Sequence, residues 1–185
     1  MSRTGWTSYP LGRKTGTVTT SLVRTRYGTL DDVRATVALH ERCSADALTR
    51  RFHAPVTRVP ERLATQLLAP ARGWSVVAEQ NGVVVALASV GPVSPHEVEI
   101  GVVVEDAQQG RGIGTRLLRE VAADAGRRGY RSLLCLTQPD NDTVLRTIER
   151  AGLAFDEHVT DGVLTVVMPL SAHARREHPG LPRPA

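Results

Sequence analysis

The run Gln109-Gly110-Arg111-Gly112-Ile113-Gly114-Thr115 could do chemistry by its composition and spacing. It lies between a β-branched run at 98–104 and an apolar periodicity of helical spacing that begins at Ile113. Strand, glycine-rich loop and helix, in that order, build an anion cradle. Glycines let backbone N–H groups approach a phosphate without interference from Cβ. The first four N–H groups of a helix have no partner inside it, and the helix dipole draws negative charge to that end. Arg111 adds a fixed cation and Thr115 a hydroxyl donor. The strand ahead of the loop brings carboxylates. Its alternation sends Val98, Ile100, Val102 and Val104 to one face and Glu97, Glu99 and Val103 to the other.

Two common phosphate loops do not fit. A nucleoside-triphosphate loop needs G-x-x-x-x-G-K-[ST], and this loop has no lysine. A dinucleotide loop needs G-x-G-x-x-G and an acid ~20 residues further on, but the glycines stand at 110, 112 and 114 and no acid is suitably placed after Arg131. The order that fits is [QR]-x-x-G-x-[GA], read as Gln109-x-x-Gly112-x-Gly114. Alone it would be a glycine-rich turn before a helix. Here a carboxylate-bearing strand precedes it, a helix and a strand at 131–136 follow, and Asn141 then opens a helix that ends at Gly152. In this arrangement residues 21–170 resemble the GNAT superfamily of N-acetyltransferases, which use acetyl-CoA.

The resemblance implies an α/β fold: a mixed, mostly antiparallel central sheet flanked by helices, with a parallel strand pair around the CoA helix. It implies that Gln109, Gly110, Arg111, Gly112, Ile113, Gly114 and Thr115 hold the pyrophosphate. Where the preceding strand splays from its neighbour, the backbone of Val102, Val103 and Val104 would pair with the amides of pantetheine, much as an added strand does. Asn141 matches an asparagine that contacts the cofactor arm, and it would serve equally as a plain helix N-cap. No metal is expected.

Acetyl transfer to an amine sets its own demands. A free lysine amine has a pKa of about 10.4 and is protonated at neutral pH. A carboxylate, directly or through water, can take that proton, and a backbone N–H ahead of the loop can bind the developing oxyanion. The thiolate, with a pKa near ~8.5, leaves without obligatory help. Glu99 matches a position where family enzymes often carry glutamate and is the candidate base. Glu97 is its rival on the same face, and a solvent-facing strand residue is the plain alternative. Glu105 and Asp106 read as loop acids that favour the helix N-terminus.

The general-acid tyrosine of many relatives is missing: residues 141–153 contain none, and its place falls at Ile148 or a neighbour. A catalytically silent acyl-CoA-binding regulatory module is therefore the alternative to an enzyme. Either no general acid is used, or water or Cys135 contributes; Cys135 otherwise reads as a buried small apolar residue, Tyr130 as a packing residue, and His40 and His53 as surface unless one touches a substrate. The segment Ser44–Phe52 is similar to the S-x-x-x-L-x-x-R-F segment of some bacterial protein-lysine acetyltransferases, with Arg50 and Arg51 read as exposed and Phe52 as core. The acceptor expected is an amine, on a protein lysine or a small molecule. Dimers are common in the family, so a homodimer is compatible with the resemblance.

The elements that must position these groups follow from periodicity. Leu22–Tyr27 reads as a strand, Asp31 opens a helix, Ser44 caps a second, and Pro60 stands at the first position of a third. Trp74–Glu79 and Val83–Val90 flank the hairpin signal Asn81-Gly82. The helix from Ile113 turns Leu117, Leu118, Val121, Ala122 and Ala125 inward and Arg116, Arg119, Asp124 and Arg127 outward, with Gly126 and Gly129 loosening and ending it. Strands near 154–159 and 163–168 join across Asp161-Gly162.

Composition bounds the partners. Of 23 basic and 19 acidic residues, six and one fall outside 21–170, which leaves 17 and 18 within. The basicity belongs to the ends, so no nucleic acid is expected. No apolar run approaches the ~20 residues of a membrane span, and no signal-peptide core precedes the first strand. Cys43 and Cys135 stand far apart, and a reduced, cytoplasmic protein is expected. Residues 20–170 form the acetyltransferase domain of this reading. The segments 1–19 and 171–185, rich in Thr, Gly, Ser, Pro and Arg, read as disordered tails.

Overall fold

The computed structural model describes residues 22–170. The expected tails lie outside the described residues. In chain order the elements are β1 (Val23–Tyr27), α1 (Val33–Glu41), α2 (Ala45–Phe52), α3 (Glu61–Leu68), β2 (Trp74–Gln80), β3 (Val83–Ser94), β4 (Glu97–Val104), α4 (Ile113–Arg127), β5 (Ser132–Thr137), α5 (Asp142–Ala151), β6 (Asp156–Thr160) and β7 (Val163–Pro169). The strands form one sheet in the order β1-β2-β3-β4-β5-β7-β6. Every pair is antiparallel except β4 with β5. The hairpins turn where expected, with Asn81 and Gly82 at φ 54° and 77° and Asp161 and Gly162 at φ 52° and 77°.

Alternation along the strands feeds two cores. One face sends Val76, Val98, Ile100, Leu133 and Met168 against Leu117, Val121 and Ile148 of α4 and α5. The other sends Val77, Leu87 and Val103 against Leu39 of α1 and Leu68 of α3. The β4–β5 pair is short. It runs through Glu97↔Ser132, Val98↔Leu133 and Glu99↔Leu134 and then stops, while β4 stays paired with β3 as far as Val104↔Ala86. From Ile100 onward β4 and β5 diverge, and the opening lies directly ahead of the glycine loop.

Some sequence expectations shift. Asp124 is 4% exposed, not outward. The last turns of α4 run beneath β1 and β2, where Tyr27 Oη donates to Asp124 Oδ2 at 2.8 Å and Arg127 and Arg128 pair with it at 3.2 and 2.9 Å. Arg128 in turn covers the ring of Trp74 at 4.2 Å, and Tyr130 stacks on that ring at 6.1 Å. Gly126 stays helical and buried, because the chain leaves the right-handed region only at Gly129, φ 94°. Pro60 takes an extended ψ of 162° and is the N-cap, so α3 begins one residue later than expected. β3 continues four residues beyond Val90 because Gly91, Pro92 and Ser94 still pair with β4. No helix of the described residues is long and apolar enough to cross a membrane.

Candidate active site

The glycine loop takes the backbone form its composition implies. Gly112 sits at the N-cap of α4 with φ 80° and ψ 5°, a left-handed conformation that disfavours a side chain. The chain thereby turns its amides outward. Among the described residues, no backbone or side-chain acceptor reaches the N–H groups of residues 110–115; the first α4 bond across this junction is Arg116 N–H to Gly112 O at 3.0 Å. A row of unsatisfied donors at the positive end of a fifteen-residue helix has the geometry and field that suit an anion. Ile113 is buried and anchors the helix start. Arg111 is exposed and forms no ion pair with a described residue. The Gln109 side chain turns back to donate to Val104 O at 3.1 Å, which fastens the loop to the strand end.

The loop opens onto a cavity of about 530 Å³ between β4 and β5, floored by α4 and α5. Gly110, Gly112, Gly114, Thr115, Cys135 and Asn141 are among its walls. Glu105 N–H bonds Val85 O at 3.0 Å, so strand alternation turns the N–H and C=O of Val103 toward β3 and those of Val102 and Val104 toward the open side. Of the three valines expected to offer backbone, Val102 and Val104 face the opening. Val103 borders it, but its main chain is committed to β3 and its side chain to the core around Leu39.

Asn141 is 7% exposed and occupies the N-cap position of α5 without capping it. Its Nδ2 donates to Thr137 Oγ1 at 2.8 Å, and its Oδ1 accepts from Arg50 Nη1 at 3.5 Å. The amide is therefore held at the cavity wall and not spent on the helix.

The two candidate bases separate clearly. Glu99 is exposed and borders the large cavity. It also borders a smaller one of about 230 Å³ on the α2–α3 face of the sheet. Glu97 borders neither and accepts from Ser94 Oγ at 3.1 Å in the β3–β4 turn. The loop acids hold α1 and α2: Glu105 pairs with Arg42 at 3.0 Å, and Asp106 accepts from Ser44 N and Oγ at 2.8 and 2.7 Å while Ser44 caps α2 through Ala47 N.

Arg50 and Phe52, read as exposed and as core, are both half-buried, and three further residues differ from the sequence reading. Arg51 is not a free surface cation: it lies across the strand backbone at Gly101, against the ring of Phe52 at 5.2 Å, and lines both cavities. His40 is 2% exposed, with Nδ1 bonded to Thr36 O at 2.7 Å and the ring 5.9 Å from Phe52. Cys135 is half-buried at the cavity wall, and burial with the nearby Glu99 carboxylate pushes its thiol up to about 11, so it stays protonated at neutral pH. Both cysteines are free.

The Acetyltransferase (GNAT) family model matches residues 34–153. The chain belongs to the GNAT acetyltransferase family. It is an N-acetyltransferase, and GNAT acetyltransferases take the acetyl group from acetyl-CoA. Solved GNAT structures superpose on it. The GNAT domain of S. lividans PAT is 25% identical, with a TM-score of 0.71 over 80% of this chain and 90% of that one. The ribosomal-protein-alanine N-acetyltransferase of Brucella melitensis is 25% identical, with a TM-score of 0.63 over 79% and 98%. The yncA protein of Salmonella typhimurium, solved with its cofactor acetyl-CoA, is 24% identical, with a TM-score of 0.63 over 84% and 95%. No curated protein matches the chain. The residues present fit the GNAT donor: unsatisfied amides suit a diphosphate, and an open strand edge suits a peptide-like arm.

Proposed function

We propose that this GNAT enzyme moves an acetyl group from acetyl-CoA directly to a primary amine, on a protein lysine or a small molecule, with Glu99 as the base. The observation that carries the reading is the continuity of one surface. The unsatisfied amides of residues 110–115 lead into the opening between β4 and β5, and that opening leads to the Glu99 carboxylate. In this reading Gly110–Thr115 grip the diphosphate, the backbone of Val102 and Val104 aligns the pantetheine arm, and Asn141 borders the arm from β5's end. The donor supplies an activated thioester. Glu99 takes the proton of the incoming ammonium, and an outward N–H of β4 meets the charge that grows on the acetyl oxygen. The missing tyrosine is consistent with a leaving thiolate that needs no proton.

The test is acetyl-CoA consumption with a panel of amines, together with CoA binding by calorimetry. Wild type is expected to bind CoA and consume the thioester only when an amine is present. Gly112→Asp, which opposes the phosphates with a like charge, is expected to weaken CoA binding by about tenfold or more, the worth of one charge-assisted hydrogen bond. Unchanged affinity in that variant would remove the loop from the donor site.

A further inference from the structure

The smaller cavity gives the acceptor a chemical class; the inference rests on the acetyl-transfer reading above. It lies on the face of the sheet opposite α4 and shares Arg51, Glu99 and Gly101 with the donor cavity. Its other walls are mostly apolar, from Pro70, Pro92 and Val93, with Ser89 among them. Its 230 Å³ would hold roughly eight waters at about 30 Å³ each, the space of a small molecule or of a single side chain.

Two polar groups at this wall make no hydrogen bond to any described residue. Ser89 Oγ is buried with no hydrogen bond. The Arg51 guanidinium makes no hydrogen bond or ion pair with any described residue, Glu99 included, although it carries five donors. Burial pulls it below the usual arginine range, and the nearby Glu99 carboxylate works against that pull. The side chain is half-buried, and a cation partly withdrawn from water with no acceptor among the described residues carries a cost. The fold nevertheless makes room for it. A Cβ at Gly101 would stand 2.4 Å from Arg51 Cζ and Nη1, so only glycine lets the side chain cross β4 here.

We propose that Arg51 receives the carboxylate of the acceptor, so that the enzyme acetylates a free amino acid or a similar small amine with an acid group beside its nitrogen. A carboxylate matches the planar fork of the guanidinium. Glu99, on the wall common to both cavities, meets the ammonium end of the same molecule. Opposite charges on the protein thus face opposite charges on the ligand, and they orient the nitrogen toward the donor side. A lysine side chain of a protein brings an ammonium and four methylenes past Arg51 and leaves the guanidinium unpaired.

The test compares amino acids with the amines that result from their decarboxylation, and with a lysine peptide, at saturating acetyl-CoA. Wild type is expected to prefer the acid by at least about tenfold in kcat/KM. In Arg51→Gln that ratio should fall to within a few-fold, mainly through KM for the acid. Gly101→Ala keeps the charge but displaces the flexible end of Arg51, and it should lower the ratio in the same way. Calorimetry with CoA checks that both variants are folded, its dissociation constant staying within about threefold of wild type. A wild-type preference for the decarboxylated amine or the peptide would overturn this inference alone. So would equal losses on both amines in the variants. No turnover of any amine would overturn the acetyl-transfer reading and this inference with it.

Discussion

Glu99 and Glu97 stand two residues apart on the same face of β4, and their surroundings assign them different work. Glu99 reaches both cavities, whereas Glu97 is held by Ser94 Oγ. Replacement of Glu99 by Gln keeps the shape and removes the basicity. It is expected to cut kcat by ~10²–10⁴ while CoA binding stays unchanged. Glu97→Gln should stay within a few-fold of wild type in the same assay. A comparable loss in both variants, or none in Glu99→Gln, would take the base away from Glu99. At this scale the sequence is informative where the chemistry is local. The loop at 109–115 is legible because seven consecutive residues build it. Glu99 is legible as a candidate because the family resemblance points to it, whereas strand alternation alone leaves Glu97 beside it; only the structure places Glu99 at the cavities. Arg51 is not, since its burial depends on the missing side chain of Gly101, half a hundred residues on in the chain. His40 is not, since its concealment depends on how α2 lays Phe52 over α1.

At the scale of elements, α4 must be fixed at both ends if its N-terminus is to anchor the donor as proposed. The near end is held by Ile113 in the core. The far end is held by Asp124, which accepts from Tyr27 and pairs with Arg127 and Arg128, the latter stacked on Trp74. Asp124→Ala leaves the buried Tyr27 hydroxyl without its acceptor and is expected to cost about 2–3 kcal/mol, the range for hydrogen bonds to a charged group. Urea unfolding measures it, and a loss under about 0.5 kcal/mol, typical of a surface site, would deny the anchor. The strands and hairpins were readable from period-two alternation and the Asn81-Gly82 and Asp161-Gly162 turns. The place of Asp124 was not, because helical periodicity describes one contact stripe while the end of α4 is enclosed by β1 and β2 as well. The divergence of β4 from β5 is likewise invisible in periodicity. It is expected from the family resemblance and located only by where the β4–β5 pairing stops.

For the whole molecule, two buried groups set the response to acid, in two separate windows. His40 lies between α1 and α2. Burial lowers its pKa below the ordinary 6.5, the bond to Thr36 O opposes this, and the Arg51 guanidinium lowers it further. Asp32 is held below the ordinary 3.8 by its hydrogen bonds to Arg26, against the effect of burial. Both groups are harder to protonate in the folded chain than in the unfolded one, so the unfolded chain binds more protons and stability rises with pH across each window. The contribution of His40 is complete above about pH 7 and is lost as pH falls below 6.5 toward its depressed folded value. That of Asp32 is complete above 3.8 and is lost below it. Thermal unfolding should therefore show a first decline in Tm as pH falls below 6.5 and a second as it falls below 3.8. His40→Leu removes the titrating group along with an Nε2 that is buried without a partner. The variant's Tm is expected to fall less than that of wild type between pH 7.5 and 5.5, whatever its absolute stability. Equal declines in the two proteins would show that the imidazole between α1 and α2 is not what acid attacks first.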